Sequence, residues 1–285
     1  MKLCGRVHRR ALLSGLVALG LSSCGGGGGA GMPTPAPVLT PTPTPAPTPA
    51  PTPTSSPAPS DGTFYWTSSA PLIAPQPDPT QTLYAVKDPS VVFADGKYHL
   101  FMTLAGSKGW SIAYTSFADW SSASAAPIFP LDKSPIGPGY RAAPEVFYFA
   151  PQKLWYLIFQ GGDPFYSTTT DIGDPMSWSP ARPFFAAVPD IIKPPAGTGW
   201  LDFYIICNDA KCYLFNTDDN GHVMRSETSL GEFPNGFRNT VIVIDEPRDD
   251  AFEGSSHYRV KGTDTYLTVV EAIGPVVERA RITQR

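Results

Sequence analysis

Glu145-Val-Phe-Tyr-Phe149, a turn at Ala150-Pro-Gln-Lys153, then Trp155-Tyr-Leu-Ile-Phe159: this stretch decides the fold. Both runs are short, aromatic and flanked by turn formers, which is how adjoining antiparallel strands read. No 3.6-residue period fits them. The same phrase recurs on either side. Upstream, Asp88-Pro-Ser-Val-Val-Phe93 meets the turn Ala94-Asp-Gly-Lys97 and then Tyr98-His-Leu-Phe-Met102. Downstream, Asp202-Phe-Tyr-Ile-Ile206 meets Asn208-Asp-Ala-Lys211 and Tyr213-Leu-Phe215. Further on, Glu253-Gly-Ser-Ser-His-Tyr258 meets Lys261-Gly-Thr-Asp264 and Tyr266-Leu-Thr-Val-Val270. The four heading acids stand 57, 57 and 51 residues apart. The first three repeats supply a third strand around Ile112, Tyr166 and Val223, and Trp120-Ser121 and Trp178-Ser179 precede a fourth.

Four short antiparallel strands in each repeat of roughly 40 to 60 residues is the signature of a β-propeller. A β-sandwich has no need of so regular a repeat. The expected fold class is therefore all-β, of propeller type. The first strand of each blade lines the central axis, so Asp88, Glu145, Asp202 and Glu253 are expected to converge at one mouth of the channel. Any one carboxylate is most simply a surface group; the shared register is what singles these four out.

Outside this region the chain changes character. Twelve of the 33 prolines lie between Pro33 and Pro59, and residues 25 to 60 carry no charge. Such a segment holds near polyproline II and buries nothing; at about 3.1 Å per residue it reaches roughly 90 Å. Before it, a basic start and the apolar run Ala11–Leu21 end in Leu21-Ser-Ser-Cys24. The run is too short for a stable membrane span. It resembles a bacterial lipoprotein signal, which implies lipidation at Cys24 and export to the cell envelope or beyond; an ordinary secretory signal is the plainer alternative. The expected layout is a signal over 1–24, a linker over 25–62 and one domain over 63–285. The four charges before residue 61 are all basic. Removing them from 21 basic and 25 acidic residues leaves 17 and 25, a net of −8 for the domain. That balance argues against a nucleic-acid partner and suits a neutral one such as a carbohydrate. Membrane contact is expected only through the lipid. Cys207 and Cys212, five apart in an exported chain, are candidates for a disulfide across a hairpin.

Two carboxyl groups flanking a glycosidic bond are the usual means of hydrolysing it, one protonated and one ionised. A third nearby carboxylate raises the acid's proton affinity by like-charge repulsion. At this point the chain resembles glycoside hydrolase family 62. The stretches that carry the likeness include Val86-Lys-Asp-Pro-Ser-Val-Val92, Ala143–Leu157, Gly199–Cys207, Cys212–Phe215, Phe252–Val260 and Tyr266–Gly274, together spanning roughly Trp66 to Gly274. The resemblance implies a secreted, inverting α-L-arabinofuranosidase on a five-bladed propeller. It implies Asp88 as general base, Glu253 as general acid, Asp202 as the carboxylate that tunes the acid, and Lys87 beside the base. Glu145, Gln160, His257 and Glu271 are further candidates to meet the sugar. The substrate implied is the arabinofuranose branch of a plant cell-wall polysaccharide, arabinoxylan or arabinan. No cofactor is implied, and no metal cluster, phosphate loop or Ser-His-Asp arrangement stands out.

The chain departs from the family pattern twice. After Gln160 the family has tryptophan and glycine where this chain has Gly161-Gly162. The aromatic wall of the pocket is then missing or supplied by Phe165 or Tyr166. After Gly274 the chain reads Pro275-Val-Val-Glu-Arg-Ala-Arg-Ile-Thr-Gln-Arg285, with no aromatic residue and no strand partner in view. The expectation is a truncated or frame-shifted product: blade four incomplete, blade five missing, an open ring with an exposed edge, poor solubility and weak or no activity. Two other readings stand beside the arabinofuranosidase: a family 43-type β-xylosidase or arabinanase, and a non-catalytic carbohydrate-binding remnant. His99 and His222 are expected in core and turn roles.

Overall fold

In the first repeat, β1 (Leu83–Ala94) turns at Asp95-Gly96 into β2 (Lys97–Gly106). Both turn residues have positive φ, +49° and +75°, the twist that suits a two-residue hairpin. β3 (Gly109–Phe117) and the short β4 (Phe129–Pro130) complete an antiparallel sheet in the order β1-β2-β3-β4. The next sheet repeats this with β5 (Ala142–Phe149), β6 (Leu154–Gln160), β7 (Pro164–Thr169) and β8 (Arg182–Pro183). A third follows with β9 (Leu201–Cys207), β10 (Lys211–Thr217), β11 (His222–Ser229) and β12 (Arg238–Asp245). The last holds β13 (Ser255–Arg259), β14 (Tyr266–Ile273) and β15 (Glu278–Gln284). This computed structural model describes residues 69–192, 199–273 and 278–284. Trp66–Arg285 is one compact unit. Cys24, the expected signal and the linker lie outside the described residues.

The protein is thus all-β, built of four antiparallel, blade-like sheets. The tail corrects one expectation. Residues 278–284 have a strand partner: β15 runs antiparallel to β14 from Ile273↔Glu278 to Leu267↔Gln284. The fourth sheet has three strands among the described residues.

The first strands stand side by side, β1 against β5, β5 against β9 and β9 against β13. Apolar side chains fill the spaces between sheets. Phe101, Ile112, Leu157 and Trp178 lie between the first and second sheets. Tyr156, Phe203, Leu214 and Phe233 lie between the second and third. Val223 and Val270 lie between the third and fourth. Each such side chain contributes roughly 1.5–3 kcal/mol when fully buried.

The repeat carries a bulge that sets its true register. Asp88, Ala143, Asp202 and Gly254 all sit near φ +50° to +65°, Asp88 within β1, Ala143 and Asp202 second in β5 and β9, and Gly254 just before β13. Pairing of β1 with β2 shifts between Lys87 and Ser90, and pairing of β5 with β6 shifts between Ala142 and Glu145. The equivalent positions are therefore Asp88, Ala143, Asp202 and Gly254, not the four acids that head the sequence repeats. Glu145 lies two places beyond the bulge and Glu253 one place before it. Hydrogen bonds between sheets follow this register. Thr103 Oγ1 accepts from Ala143 N at 2.9 Å, and Gln160 Oε1 accepts from Asp202 N at 2.9 Å. Ser90 Oγ accepts from Val146 N at 3.0 Å, and a Glu145 carboxylate oxygen accepts from Ile205 N at 2.6 Å.

Candidate active site

A cleft of about 760 Å³ opens where the first strands begin. In an antiparallel sheet the turn from second to third strand lies at that same end. The cleft is accordingly lined by first-strand residues (Lys87, Asp88, Leu201, Asp202), by Trp110 where β3 begins and by Asp219 in the β10–β11 turn. Glu253 enters beside them from the fourth sheet, with Glu271 on β14.

Asp202 is the best-fixed of the acids. Its strained left-handed backbone, φ +54°, is one that Asp tolerates better than most residues. Its own N–H is held by the buried Gln160. Its Oδ2 accepts from Gly254 N at 3.1 Å and, more loosely, from Thr217 Oγ1 at 3.4 Å. The Gly254 bond fastens the residue next to Glu253, so Asp202 places the neighbouring acid as well as itself. Burial, then the charges of Glu253, Asp88 and Asp219, push the Asp202 carboxyl up to about 7; the Gly254 N–H pulls the other way. Part of Asp202 reaches the cleft, yet packed atoms hem it in, and desolvation is the leading cause.

Glu253 is presented by the backbone on either side. Phe252 N donates to Glu271 O at 2.8 Å, and Glu271 N donates to Gly254 O at 3.1 Å. The side chain is thereby set off the strand at its very start. Carboxylate oxygens of Asp202, Asp219 and Glu253 come within 4.8 Å of one another. An acidic cluster of this kind is by itself no argument for a bound cation. In the same cleft, Lys87 Nζ stands 4.7 Å over the Trp110 ring, and Tyr140 lies beside that ring at 6.4 Å. A surface that combines carboxylates with half-exposed aromatic rings fits a sugar, whose hydroxyls and apolar face need both.

Six of the eight residues expected at catalysis or the sugar line this cleft: Lys87, Asp88, Gln160, Asp202, Glu253 and Glu271. Gln160 does so from beneath; its Nε2 donates to Tyr140 Oη at 2.6 Å, completing a chain from the rim to Asp202. Two do not reach it. Glu145 is buried between the second and third sheets, where its bond to Ile205 N supplies a structural tie, and burial raises its carboxyl well above the usual range. His257 is buried too, stacked on Phe215 at 3.5 Å and bonded to Thr268 Oγ1 and Ser255 Oγ. Counting alternation from Glu253 puts both residues on one face of a regular strand, but the bulge at Gly254 breaks that count. The aromatic wall is also placed elsewhere than expected. Tyr166 packs in the core, and Phe165 lies under Arg141, whose guanidinium is 5.4 Å above it. Trp110 and Tyr140 line the cleft instead. Cys207 and Cys212 are bonded at the far end of the β9–β10 hairpin.

Sequence reading missed Trp110, Tyr140 and Asp219. The available signal was topological: any second-to-third strand turn shares the mouth with the strand starts. Thr217-Asp-Asp-Asn-Gly221 is such a turn.

Blade-like sheets whose strand starts bring acids to one sugar-sized cleft are the layout of a propeller-type glycoside hydrolase. Comparison with known proteins specifies the class further. The sequence pattern of glycosyl hydrolase family 62 matches residues 65–282, and the chain belongs to that family. It is 38% identical over 211 residues to alpha-L-arabinofuranosidase C of Cellvibrio japonicus (strain Ueda107), covering 73% of this chain. The match spans 31% of that relative's own length. Among solved structures, the catalytic domain of the Coprinopsis cinerea GH62 alpha-L-arabinofuranosidase is 42% identical. Its TM-score is 0.74, covering 78% of this chain and 73% of that one. A GH62 hydrolase in complex with xylotriose is 39% identical, with a TM-score of 0.74, covering 77% and 71%.

Proposed function

We propose that this chain is an exported α-L-arabinofuranosidase that releases terminal arabinofuranosyl branches from arabinoxylan or arabinan with inversion. The observation that carries the reading is the meeting of Asp88, Asp202 and Glu253 in one cleft, with Lys87 alongside. Asp88 takes a proton from water as the water oxygen attacks the anomeric carbon. Glu253 gives its proton to the glycosidic oxygen as the bond from that carbon breaks. Asp202 orients Glu253 through Gly254 and holds charge beside it. Xylan as the main chain is favoured by the relative that holds xylotriose. Proton NMR of arabinoxylan digestion tests the reading. Free arabinose is expected, first as the β-anomer, and lost in Glu253→Gln. Glycan binding without release would support a binding protein instead.

The four sheets are proposed as four positions of a five-bladed ring, supported by the 52- to 59-residue spacing of their bulges. A solved structure with four sheets closed directly on each other would overturn this. Lipidation at Cys24 is proposed from the Leu-Ser-Ser-Cys sequence. Mass spectrometry of the mature N-terminus should find diacylglycerol on Cys24; an unmodified terminus would remove the anchor.

A further inference from the structure

Asp218 and Asp219 are neighbours in one turn and have opposite fates. Asp218 is buried and fully used: Oδ1 accepts from Asn220 N at 2.9 Å and His222 N at 3.2 Å, and Oδ2 meets His222 Nδ1 at 2.7 Å. It builds the turn. Asp219 takes a left-handed backbone, φ +58°, and lines the cleft. Arg248 Nε donates to its backbone oxygen at 3.0 Å, clamping the residue through the main chain. The carboxylate oxygen Oδ1 is buried and has no hydrogen-bond donor among the described residues. Leaving a buried acceptor unmatched costs about 1–3 kcal/mol, so the turn alone does not explain Asp at this place. A carboxylate oxygen of Asp219 lies within 4.8 Å of carboxylate oxygens of Asp202 and Glu253, with the charges of Arg248 and Lys87 acting from the other side of the balance.

We propose that Asp219 is a fourth carboxylate of the site, a positioning residue whose negative charge keeps a proton on the Asp202–Glu253 pair at neutral pH. The inference rests on the glycosidase reading of the same cleft. An acid that must donate to a leaving oxygen is useful only while protonated, and a fixed like charge beside it delays proton loss. The groups that face Asp219 define the balance. Asp202, Glu253 and Asp88 add negative charge at the cleft, with Glu271 on the facing strand and Asp218 behind. Lys87 and Arg248 oppose it. Burial leads in raising the Asp219 carboxyl itself. Charge on Asp219 in turn contributes to the upward push on Asp202.

Asp219→Asn removes the charge and keeps the size, and asparagine also tolerates the left-handed backbone. The alkaline limb of the kcat/KM profile, which belongs to the coupled cluster rather than to one residue, should move to lower pH. One charge at about 5 Å predicts a move of at least about half a pH unit. A limb that stays in place or moves upward overturns the proposal. A second measurement needs no activity. With less like-charge repulsion, the variant should gain Tm relative to the unsubstituted protein at pH 8 and gain less at pH 4.5, where Asp202, pushed up to about 7, holds its proton and no longer repels Asp219. An equal Tm difference at both pH values also overturns the proposal. Absence of arabinose release by the unsubstituted protein at every pH would remove the enzymatic reading, while the Tm comparison would still decide whether Asp219 couples to the pair.

Discussion

The roles proposed for Asp88 and Glu253 rest on where the fold places them, in one cleft. Asp88→Asn and Glu253→Gln keep size and polarity but remove the proposed base and the proposed acid. Each should lower kcat for arabinose release by about 10²–10⁴-fold with the fold intact, as measured by initial rates and circular dichroism. Gln160 is different in kind. Its oxygen holds the Asp202 N–H and its amide holds Tyr140 Oη, so Gln160→Leu leaves a buried donor unmatched. A stability loss of about 1–3 kcal/mol in urea unfolding is expected, with kcat falling as Asp202 loosens. A variant as stable and active as the parent would contradict that role. At this scale the sequence made Asp88, Asp202 and Glu253 legible because each heads a recurring apolar run. Asp219 was hidden because it sits in a polar turn beside a second aspartate, and only packing separates the one that builds the turn from the one that faces the cleft.

The first strands are where sequence period and structural period part. The acids recur every 57, 57 and 51 residues, but the bulges recur at Asp88, Ala143, Asp202 and Gly254. A bulge adds one residue to one strand and reverses the facing of the residues after it. Hence Glu145, which shares the sequence register, falls between sheets and accepts from Ile205 N instead of meeting sugar. Glu145→Gln keeps an acceptor and should melt close to the parent. Glu145→Leu orphans the Ile205 N–H and should lose about 1–3 kcal/mol. The β9–β10 hairpin carries the other test at this scale. Its bond between Cys207 and Cys212 closes a loop of sequence separation 5. Loop-closure entropy for so short a loop is about 2 kcal/mol, so the Cys207→Ser, Cys212→Ser pair should lose no more than about that in thermal unfolding. The hairpin itself was readable from Asn208-Asp-Ala-Lys211, where Asn208 Oδ1 caps Ala210 N and Lys211 N.

Across the molecule, two buried groups act on stability in opposite directions with pH. Folding raises Asp202 to about 7 from 3.8, so the folded state binds the extra proton between those values. Its contribution is fully present in acid and is lost as pH rises through about 7. Burial lowers His257 to about 3 from 6.5, so here the unfolded state binds the extra proton. That contribution is full above 6.5 and is lost as pH falls toward 3. The two slopes overlap between about 4 and 6.5 and should leave Tm nearly flat there. In His257→Gln the acid-side loss disappears, and Tm should then fall steadily as pH rises from about 4 to about 7. A profile of unchanged shape would contradict the buried, neutral state of His257.

The sequence by itself determined the all-β architecture, the family, the hairpins and which three recurring acids to look for in the cleft. Those depend on local alternation, turn chemistry and a repeat long enough to recognise. Tertiary structure alone decided that Glu145 and His257 turn inward, that Trp110 and Tyr140 form the wall, that Asp219 joins the acids, and that β15 finds a partner. These outcomes hinge on one-residue bulges and on contacts between sheets some fifty residues apart in the chain, where a slip of a single position exchanges core for cleft.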